Sequence, residues 1–304
     1  MKRSEFIKSS VLTGLALAAG TTVSADISNY PAPGKTFNLN YAPHDGMFSN
    51  HAGKSFPDQI RYMHDQGFRA IEDNGYLNRS ITEQEQIGNL LNKLGMTMGV
   101  FVVDGGDNWK PSLTTGKQEF KDKFIATCKK SLEAAKRCNA KWATVVPGYY
   151  QRDLPIGIQT ANVLESLKRG AEIFEPSGLI MVLEPLSDTP ELFLRYSDQT
   201  YEICKAVDSP SCKILFDIYH MQRNEGNLIK NMERCWDEIA YVQIGDNPGR
   251  NEPTSGEINY KNIFKFLYGK GYKGVMGMEH GNAKKGKEGE LALIKAYRDQ
   301  DNFL

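Results

Sequence analysis

The 304-residue chain lacks the features that mark several large classes of protein. Its 37 basic residues are matched by 37 acidic ones, so the positive charge expected of a nucleic-acid-binding protein is missing. No apolar run after residue 25 is long enough to span a bilayer. The chain has no Walker loop, GxSxG elbow or HExxH pair, which leaves phosphoryl transfer, acyl hydrolysis and zincin chemistry without support.

Cysteine and histidine are also scarce, with five residues of each. The cysteines form an odd set without a CxxC pair, which argues against a zinc ribbon or a dithiol redox motif. Their neighbours are apolar helix-like or strand-like segments, so the sequence predicts free buried thiols and leaves one or two disulfides open. The five are Cys128, Cys138, Cys204, Cys212 and Cys235.

The first 25 residues differ in character from the remainder of the chain. A basic stretch, "MKRSEFIKSS", is followed by the apolar "VLTGLALAAG" and by "TTVSA", which places Val23 and Ala25 for a signal-peptidase cut. We therefore predict an export signal over residues 1–25 and a periplasmic protein. The segment partly resembles a twin-arginine signal, with Lys2 in place of the first arginine. A native N-terminal helix is the alternative.

Short apolar runs then alternate with longer amphipathic ones eight times. The short runs are rich in β-branched and aromatic residues and mostly apolar on both sides of the alternation, as expected of strands buried on both faces. We predict these strands at Phe37–Ala42, Phe68–Asp73, Met96–Asp104, Lys141–Gly148, Gly178–Pro185, Cys212–Asp217, Ile239–Asp246 and Lys273–His280.

The longer segments have helical spacing, as in "EQEQIGNLLNKLG", which ends at Gly95, and "PELFLRYSDQTYEICKAV". Eight strand–helix units predict an α/β protein with the (β/α)₈ TIM barrel fold, forming a single catalytic domain over residues 26–304. A doubly wound sheet is the alternative. It usually has a glycine-rich turn after its first strand, and "NLNYAPHDG" is not such a turn.

Polar residues stand at the carboxyl ends of most predicted strands, where a TIM barrel places its chemistry. Strands two and three end on Glu72, Asp73 and Asp104. Strands five to eight each deliver one oxygen-bearing side chain in turn, namely Glu184, Asp217, Gln243 and Glu279.

Burying three carboxylates close together is costly because each charge loses its water, and a divalent cation offsets that cost. An all-oxygen set such as Glu184, Asp217, Gln243 and Glu279 suits Mg²⁺ or Mn²⁺ better than zinc. His220, three residues after Asp217, is then expected beside the cation as a substrate contact. The alternative is that these acids form salt bridges at the barrel rim.

Such a site suits proton transfer at a carbon atom of a sugar-like substrate. A cation stabilises the enediolate formed when the proton leaves, and two carboxylates on opposite sides of the carbon can take and return it. Glu184 and Glu279 lie on non-adjacent strands and can flank a substrate in this way. The loop "VVDGGDNWKPSLTTG" after strand three carries Trp109, which we expect to form a wall for the sugar.

Four segments, "VLEP", "FDIYHMQ", "VQIGDNPGRNEPTSGEINY" and "GMEH", together resemble the hydroxypyruvate isomerase group of the xylose isomerase-like TIM barrels. The resemblance covers strand five to the end of the chain. It implies an isomerase in which Glu184 and Glu279 are the acid–base pair and also touch the metal. The remaining implied metal ligands are Asp217 and Gln243.

The resemblance further implies that His220 and Arg250 contact substrate oxygens and that Glu257 lies in a loop lining the pocket. In the related ketose 3-epimerases the strand-seven ligand is a histidine, so Gln243 favours the hydroxypyruvate isomerase side. Two features depart from the family: the export signal, and "HGNAKKGKEGE" after Glu279 in place of an "EY" and proline-containing continuation. The second departure affects a loop that shapes the substrate.

Other function classes stay open at this point. A dehydratase acting on keto-sugars or keto-inositols would use the same metal and the same proton abstraction. A non-catalytic, exported sugar-binding protein would not need the paired bases. Apurinic endonucleases share the barrel but need a histidine-rich trinuclear zinc site, which five histidines and a neutral charge disfavour. We expect a small sugar or hydroxy-keto acid as the partner, no nucleic acid, and leave a homo-oligomer open.

Overall fold

The computed structural model describes residues 34–304. The predicted export signal at residues 1–25 lies outside the described residues. The strands are β1 Asn40–Ala42, β2 Ala70–Ile71, β3 Thr97–Met98, β4 Trp142–Val145, β5 Ile180–Leu183, β6 Cys212–Asp217, β7 Ile239–Gln243 and β8 Val275–Gly277. The α-helices are α1 Ser49–Ala52, α2 Phe56–Asp65, α3 Ile81–Leu94, α4 Gln118–Cys138, α5 Ile156–Phe174, α6 Ser197–Val207, α7 Ile218–Asn224, α8 Leu228–Arg234, α9 Tyr260–Gly269 and α10 Gly286–Asp301.

The strands are all parallel and close into a ring. Six of them form a sheet in the order β1-β8-β7-β6-β5-β4, and β2 pairs with β3. The amide of Glu72 donates to the carbonyl of Pro43 at 2.9 Å, which joins β2 to β1. Reciprocal bonds of Thr144, to Phe101 at 2.8 Å and from Val103 at 2.9 Å, join β4 to the segment after β3. The predicted (β/α)₈ barrel is confirmed.

Two apolar layers hold the barrel together. The inner layer fills the space inside the strand ring with residues from seven of the eight strands or their immediate extensions: Ala42, Ala70, Val100, Val182, Leu215, Tyr241 and Val275. The outer and larger layer lies between the strands and the surrounding helices and includes Phe68, Phe174 and Phe264. Both faces of the sheet are therefore buried, which explains why the strands read as nearly continuous apolar runs.

Local signals set both ends of α3. Ser80 and Glu83 form a capping box at the start of α3, each side chain accepting from the backbone amide of the other residue. Gly95 ends the same helix in the left-handed conformation, with φ of 64°. The predicted stop at this glycine is confirmed.

The third strand is shorter than the predicted Met96–Asp104 and ends at Met98. Backbone bonds to the β2 segment nevertheless continue past Met98, from the amide of Gly99 to the carbonyl of Ile71 at 2.7 Å and from the amide of Asp73 to the carbonyl of Val100 at 3.2 Å. On the other side, Val102 bridges to Thr144 of β4. Gly99 itself has no room for a side chain, because a Cβ atom there would stand 2.3 Å from the hydroxyl oxygen of Tyr241.

The helix predicted to begin at Pro190 begins instead at Ser197. The segment before it is held extended by partners that follow β4. The amide of Phe193 donates to the carbonyl of Gly148 at 3.1 Å, and the amide of Tyr150 donates to the carbonyl of Glu191 at 2.8 Å. These tertiary bonds override the helical spacing of the segment.

All five cysteines lie buried as free thiols, in agreement with the default prediction. Burial raises the pKa of the Cys128 thiol to about 12, which keeps it protonated and inert near neutral pH. Among residues 34–304, no helix combines the length and apolar character needed to cross a membrane.

Gly88 tests the packing of α3 against α4. A Cβ atom there would lie 1.8 Å from the carbonyl oxygen of Arg137. We expect Gly88→Ala to lower the free energy of unfolding by about 1–3 kcal/mol because the helices must separate. Gly157→Ala is the matched control, since it is also helical but has open space around it. It should stabilise the protein by up to about 1 kcal/mol. Thermal unfolding of both variants checks this, and equal midpoints would contradict it.

Candidate active site

The strand register places the predicted site residues side by side at the carboxyl end of the barrel. Asp217, the last residue of β6, pairs with Gln243, the last residue of β7, and Gln243 pairs with Gly277 of β8. Glu184 directly follows β5, and Glu279 comes two residues after β8. Oxygens of Glu184, Asp217 and Glu279 and a ring nitrogen of His220 all lie within 4.8 Å of one another.

Asp217 divides its two carboxylate oxygens between structure and site. Its Oδ1 accepts from the backbone amides of Tyr219 at 2.7 Å and His220 at 3.2 Å, which caps the N-terminus of α7. Its Oδ2 is buried and has no hydrogen-bond partner. The strand therefore ends on an acid because that residue both starts the next helix and presents one free oxygen to the site.

The same kind of free oxygen occurs on two neighbours of Asp217. Glu184 Oε1 and Gln243 Oε1 are buried side-chain oxygens without a hydrogen-bond partner. A buried acceptor without a partner costs about 1–3 kcal/mol, and three of them on adjacent strand ends are not explained by packing. These atoms suit a hard divalent cation, which prefers oxygen ligands. Glu184, Asp217, Gln243 and Glu279 would hold it.

Glu279 is fixed from both sides. Its Oε1 accepts from the side-chain amide of Asn74 at 2.9 Å, and its Oε2 accepts from Nη2 of Arg250, also at 2.9 Å. Asn74 lies just beyond β2 and was not among the predicted site residues. Its position directly after the polar end of strand two, Glu72 and Asp73, is the signal that could have identified it.

Arg250 supplies positive charge at the centre of the cluster. Besides Glu279, its Nη2 lies 3.0 Å from His220 Nε2 and 3.5 Å from Asp217 Oδ2. Its backbone has φ of 49°, a left-handed conformation that costs a non-glycine residue about 1–2 kcal/mol. Although burial opposes its charge, the surrounding acids, with Glu279 first among them, raise the pKa of the Arg250 guanidinium. The strained turn is therefore compensated by the ion pairs that it makes possible.

His220 has hydrogen-bonding partners at both ring nitrogens. The backbone amide of Ser187 donates to Nδ1 at 3.1 Å, and Arg250 Nη2, which can only donate, lies 3.0 Å from Nε2. Nε2 also faces Glu184, Asp188 and Asp217 at 3.7–3.9 Å. Burial lowers the pKa of His220 and so favours the neutral ring. His220 thus places Nε2 among the acids of the site, next to the Arg250 guanidinium.

Burial dominates the electrostatics of the two predicted acid–base residues. It raises the pKa of Glu184 well above its ordinary value, and the nearby charges of Glu279 and Asp217 raise it further. Burial likewise raises the pKa of Glu279, against the opposing effect of Arg250. Both carboxyl groups therefore hold a proton more readily than an exposed glutamate does.

A cavity of about 290 Å³ opens above these residues. Glu184, Glu279, His220 and Arg250 lie at its floor, and Trp109 forms part of its wall with 52% of its surface exposed. The cavity thus brings together Trp109, His220 and Arg250 with two of the predicted strand-end residues, Glu184 and Glu279. Asp217 and Gln243 do not line it and are fully buried. Polar residues that were not predicted also line it, namely Asn74, Asn78, Asn108 and Asp188, together with Asp104 from the end of strand three.

Glu257 lies apart from this cavity. Its side chain is exposed and accepts hydrogen bonds from Asn247 at 2.5 Å and Gln222 at 3.2 Å. It lines a separate surface groove beside α8 and α9. The structure therefore does not bring Glu257 to the other predicted residues, because the loop that carries it turns its side chain outward.

The chain is similar to proteins of known families. A family model described as the xylose isomerase-like TIM barrel matches residues 60–298. The 2-oxo-tetronate isomerase of Cupriavidus necator is 29% identical over 258 residues, which cover 83% of this chain and 95% of that protein. The hydroxypyruvate isomerase of Escherichia coli is 37% identical over 122 residues, which cover 40% of this chain and 47% of that protein. This second match therefore spans less than half of the relative.

Among solved structures, an AP endonuclease, family 2, from Brucella melitensis superposes with a TM-score of 0.72. It is 23% identical, and the superposition covers 83% of this chain and 96% of that one. At this identity the likeness concerns the barrel fold. The named relatives support the prediction that the chain is an enzyme of the isomerase class.

Removing Arg250 should leave carboxylates without a positive partner. We expect Arg250→Ala to destabilise the chelator-treated protein by about 2 kcal/mol or more, whereas Arg61→Ala, in an exposed pair with Asp58, should change it by less than about 1 kcal/mol. Added Mn²⁺ should recover part of the loss, since a ligand that binds only the folded state stabilises it. Thermal unfolding with chelator and with Mn²⁺ measures this. Equal shifts in the two variants would contradict the ion-pair role.

Proposed function

The chain belongs to the xylose isomerase-like TIM barrel family, and from that membership and the acid cluster we propose that it is a metal-dependent isomerase or epimerase of a small sugar or hydroxy-keto acid. The observation that carries the proposal is the set of three buried, unpartnered oxygens, on Glu184, Asp217 and Gln243. The strand register places Asp217 beside Gln243, and oxygens of Glu184, Asp217 and Glu279 lie within 4.8 Å of one another. Glu184 and Glu279 also line the cavity.

The chain's own residues provide proton transfer at a carbon atom. Glu184 and Glu279 come from strands β5 and β8 and both line the cavity, so a substrate between them has one carboxyl group on each side. One group takes the proton and the other returns it, with the pKa of each raised by burial. A bound divalent cation would supply positive charge that stabilises negative charge developing on substrate oxygens.

The remaining site residues orient the substrate. His220 Nε2 lies 3.9 Å from Glu184 and 3.7 Å from Asp188, where it can form a hydrogen bond with a substrate hydroxyl group. Asn74 holds Glu279 in place through the 2.9 Å bond to its Oε1. Trp109 offers an aromatic face at the cavity wall, against which the apolar side of a sugar can pack.

The charge of the cavity favours a neutral polyhydroxylated substrate. Four carboxylates line it, those of Asp104, Glu184, Asp188 and Glu279, against one guanidinium, that of Arg250. Their formal sum is −4 + 1 = −3, and a divalent cation brings it to −1. A neutral ketose or aldose enters such a cavity without the repulsion that an acid substrate meets. The amide groups of the lining asparagines can both donate to and accept from its hydroxyls.

A hydroxy-keto acid is the second candidate substrate, and the names of the relatives favour it. The proteins from Escherichia coli and Cupriavidus necator are named hydroxypyruvate isomerase and 2-oxo-tetronate isomerase. Arg250, at the cavity floor, is the group that would pair with the substrate carboxylate. In this site that guanidinium is already shared among Glu279, Asp217 and Asp188, which weakens its hold on a further anion.

We also propose that the protein works outside the cytoplasm, on the strength of the signal-like residues 1–25. Cell fractionation with an antibody to the chain tests the location. Recovery of the uncleaved chain in the cytoplasm would reject it without affecting the proposed chemistry.

Deuterium exchange tests the chemistry. We expect the chelator-treated protein to be inactive, and Mn²⁺ to restore exchange of a substrate carbon-bound proton in D₂O, followed by proton NMR across ketoses, aldoses and hydroxypyruvate. Glu184→Gln and Glu279→Gln should each reduce exchange by at least about a hundredfold, because each removes one proton-transfer group. Glu133→Gln, an exposed carboxylate on α4, is the control and should retain it.

The exchange products separate the alternatives. The position of the deuterium distinguishes a 1,2-isomerase from a 3-epimerase, and loss of water from the product would identify a dehydratase on the same site. Tight binding of a sugar with no exchange under any metal would replace the enzyme proposal with that of a sugar-binding protein.

Neutralising the acids at the cavity rim tests substrate charge. Asp188→Asn removes a carboxylate that lines the cavity without being one of the four proposed ligands. We expect it to raise the ratio of kcat/KM for hydroxypyruvate over that for a neutral ketose by roughly three- to tenfold, because one repulsive charge near the substrate is lost. Asp58→Asn, on the exposed face of α2, is the control. An unchanged ratio in Asp188→Asn would contradict the charge argument.

A further inference from the structure

Beneath the proposed ligand oxygens lies a row of three buried side chains that the proton-transfer chemistry does not use. Tyr241, Glu72 and Gln243 are each at most 1% exposed. The Tyr241 hydroxyl donates to Glu72 Oε2 at 2.9 Å, and the side-chain amide nitrogen of Gln243 donates to Glu72 Oε1 at 2.8 Å. Glu72 therefore accepts from both neighbours.

The row has a fixed direction because its far end is anchored to the backbone. The amide of Val100 points at the Tyr241 hydroxyl oxygen at 3.4 Å, so this oxygen accepts and its hydrogen is free to point at Glu72. The position that faces Tyr241 must therefore hold an acceptor. A carboxylate satisfies this demand and still offers its second oxygen to Gln243.

The barrel interior leaves room for this row at two glycines. A Cβ atom at Gly277 would stand 1.7 Å from Glu72 Oε2, and one at Gly99 would stand 2.3 Å from the Tyr241 hydroxyl oxygen. Any larger residue at either position would displace the row. Glycine therefore occupies both positions where the Glu72 carboxylate and the Tyr241 phenol need space, which argues against an accidental contact.

An amide side chain has nearly the same shape in two orientations that differ by exchange of its oxygen and nitrogen. In one orientation Gln243 presents an oxygen to the cation site, and in the other it presents N–H groups that repel a cation. The Gln243 oxygen has no hydrogen-bond partner in the protein, and the strand register places Gln243 beside Asp217, a proposed ligand. The hydrogen bond from the Gln243 amide nitrogen to Glu72 therefore sets the orientation of the Gln243 side chain.

We propose that Glu72 is a positioning residue that holds the Gln243 amide with its oxygen towards the cation, and that Tyr241 sets the direction of this arrangement. The proposal rests on the metal-dependent function proposed above. It explains how an amide, the weakest ligand type in the set, is kept in the ligating orientation. It also explains why a carboxylate is buried so deeply beneath the site.

Glu72→Gln is the first test. Because Tyr241 demands an acceptor, the new amide must turn its oxygen to Tyr241 and its nitrogen to Gln243. Gln243 then reverses and points N–H groups at the cation. We expect the Kd for Mn²⁺, measured by calorimetry on the chelator-treated full-length protein, to rise by roughly 10–100-fold. Glu238→Gln is the matched control, a buried carboxylate paired with Lys213 away from the site, and should leave the Kd unchanged.

The exchanged pair is the sharper test. In Glu72→Gln/Gln243→Glu the donor and acceptor change places, so the hydrogen bond is restored and a carboxylate oxygen faces the cation. We expect this double variant to bind Mn²⁺ at least as tightly as the unmodified protein. Gln243→Glu alone sets two carboxylates against each other and should bind more weakly than the double variant, in spite of its added negative charge.

Removing the anchor gives an independent check. In Glu72→Gln/Tyr241→Phe no acceptor is demanded at the far end, so the amide at position 72 is free to offer its oxygen to Gln243, and Mn²⁺ affinity should recover. Circular dichroism and thermal unfolding establish that each variant is folded. If Glu72→Gln does not fold, the Kd of Gln243→Glu for Mn²⁺, compared with that of the unmodified protein, tests the role of Glu72.

Each outcome bears on one proposal. A Kd in Glu72→Gln within twofold of the unmodified protein, or Gln243→Glu binding more tightly than it, would overturn the role of Glu72. Failure of the unmodified protein to bind Mn²⁺ at all would overturn the metal-dependent function instead. The first result leaves the isomerase chemistry intact, so the two failures are distinguishable.

Discussion

The site depends on the burial of several carboxyl groups at one end of the barrel. Parallel pairing of β5 to β8 brings Glu184, Asp217 and Glu279 together whatever their charges, because neighbouring strands end at the same edge. Each carboxylate loses most of its water there, and burial is the largest cause of the raised pKa values of Glu184 and Glu279. Neighbouring groups of the chain offset part of the free-energy cost of burying these carboxylates.

The oxygens of the buried cluster fall into two groups, according to whether another group of the chain satisfies them. Some oxygens are satisfied within the chain: Asp217 Oδ1 caps α7, and Glu279 is held by Asn74 and Arg250. Other oxygens of the cluster, on Glu184, Asp217 and Gln243, are buried without a hydrogen-bond partner in the protein. The proposed cation site rests on this second group.

The backbone departs from regular structure at several positions near the site. Arg250 adopts a left-handed backbone conformation in the loop after β7, and the regular part of β3 ends at Met98. Glycines at positions 99 and 277 leave the space that Tyr241 and Glu72 occupy. Each departure from regular structure lies within reach of the cluster, as expected where function competes with regular packing.

The family relationship and the site geometry constrain the activity at different levels. The family match over residues 60–298 and the named isomerases account for the barrel and the general chemistry. The substrate proposal rests instead on the residues that line the cavity, among which Asp104 and Asp188 add negative charge beyond that of Glu184 and Glu279. The relatives' names alone do not decide between a neutral sugar and an anionic acid.

The sequence by itself determined the eight strand–helix units and the polar residue at the end of each of the last four strands. Both follow from local pattern, since apolar runs, helical spacing and glycine stops act over a few residues. It also identified His220, Arg250 and Trp109, which the structure brings to the same cavity.

Only the tertiary structure decided which groups complete the site. Asn74 directly follows the polar end of strand two, but its contact with Glu279 exists only because the ring of strands closes. Asp188 lies in the loop after β5 and reaches the cavity for the same reason. Glu257 faces outward because the turns of its own loop rotate it away. Glu72 lies beneath Gln243 because β2 and β7 face each other across the barrel interior. Contacts between side chains so far apart in sequence depend on the closed barrel, and local sequence pattern does not encode them.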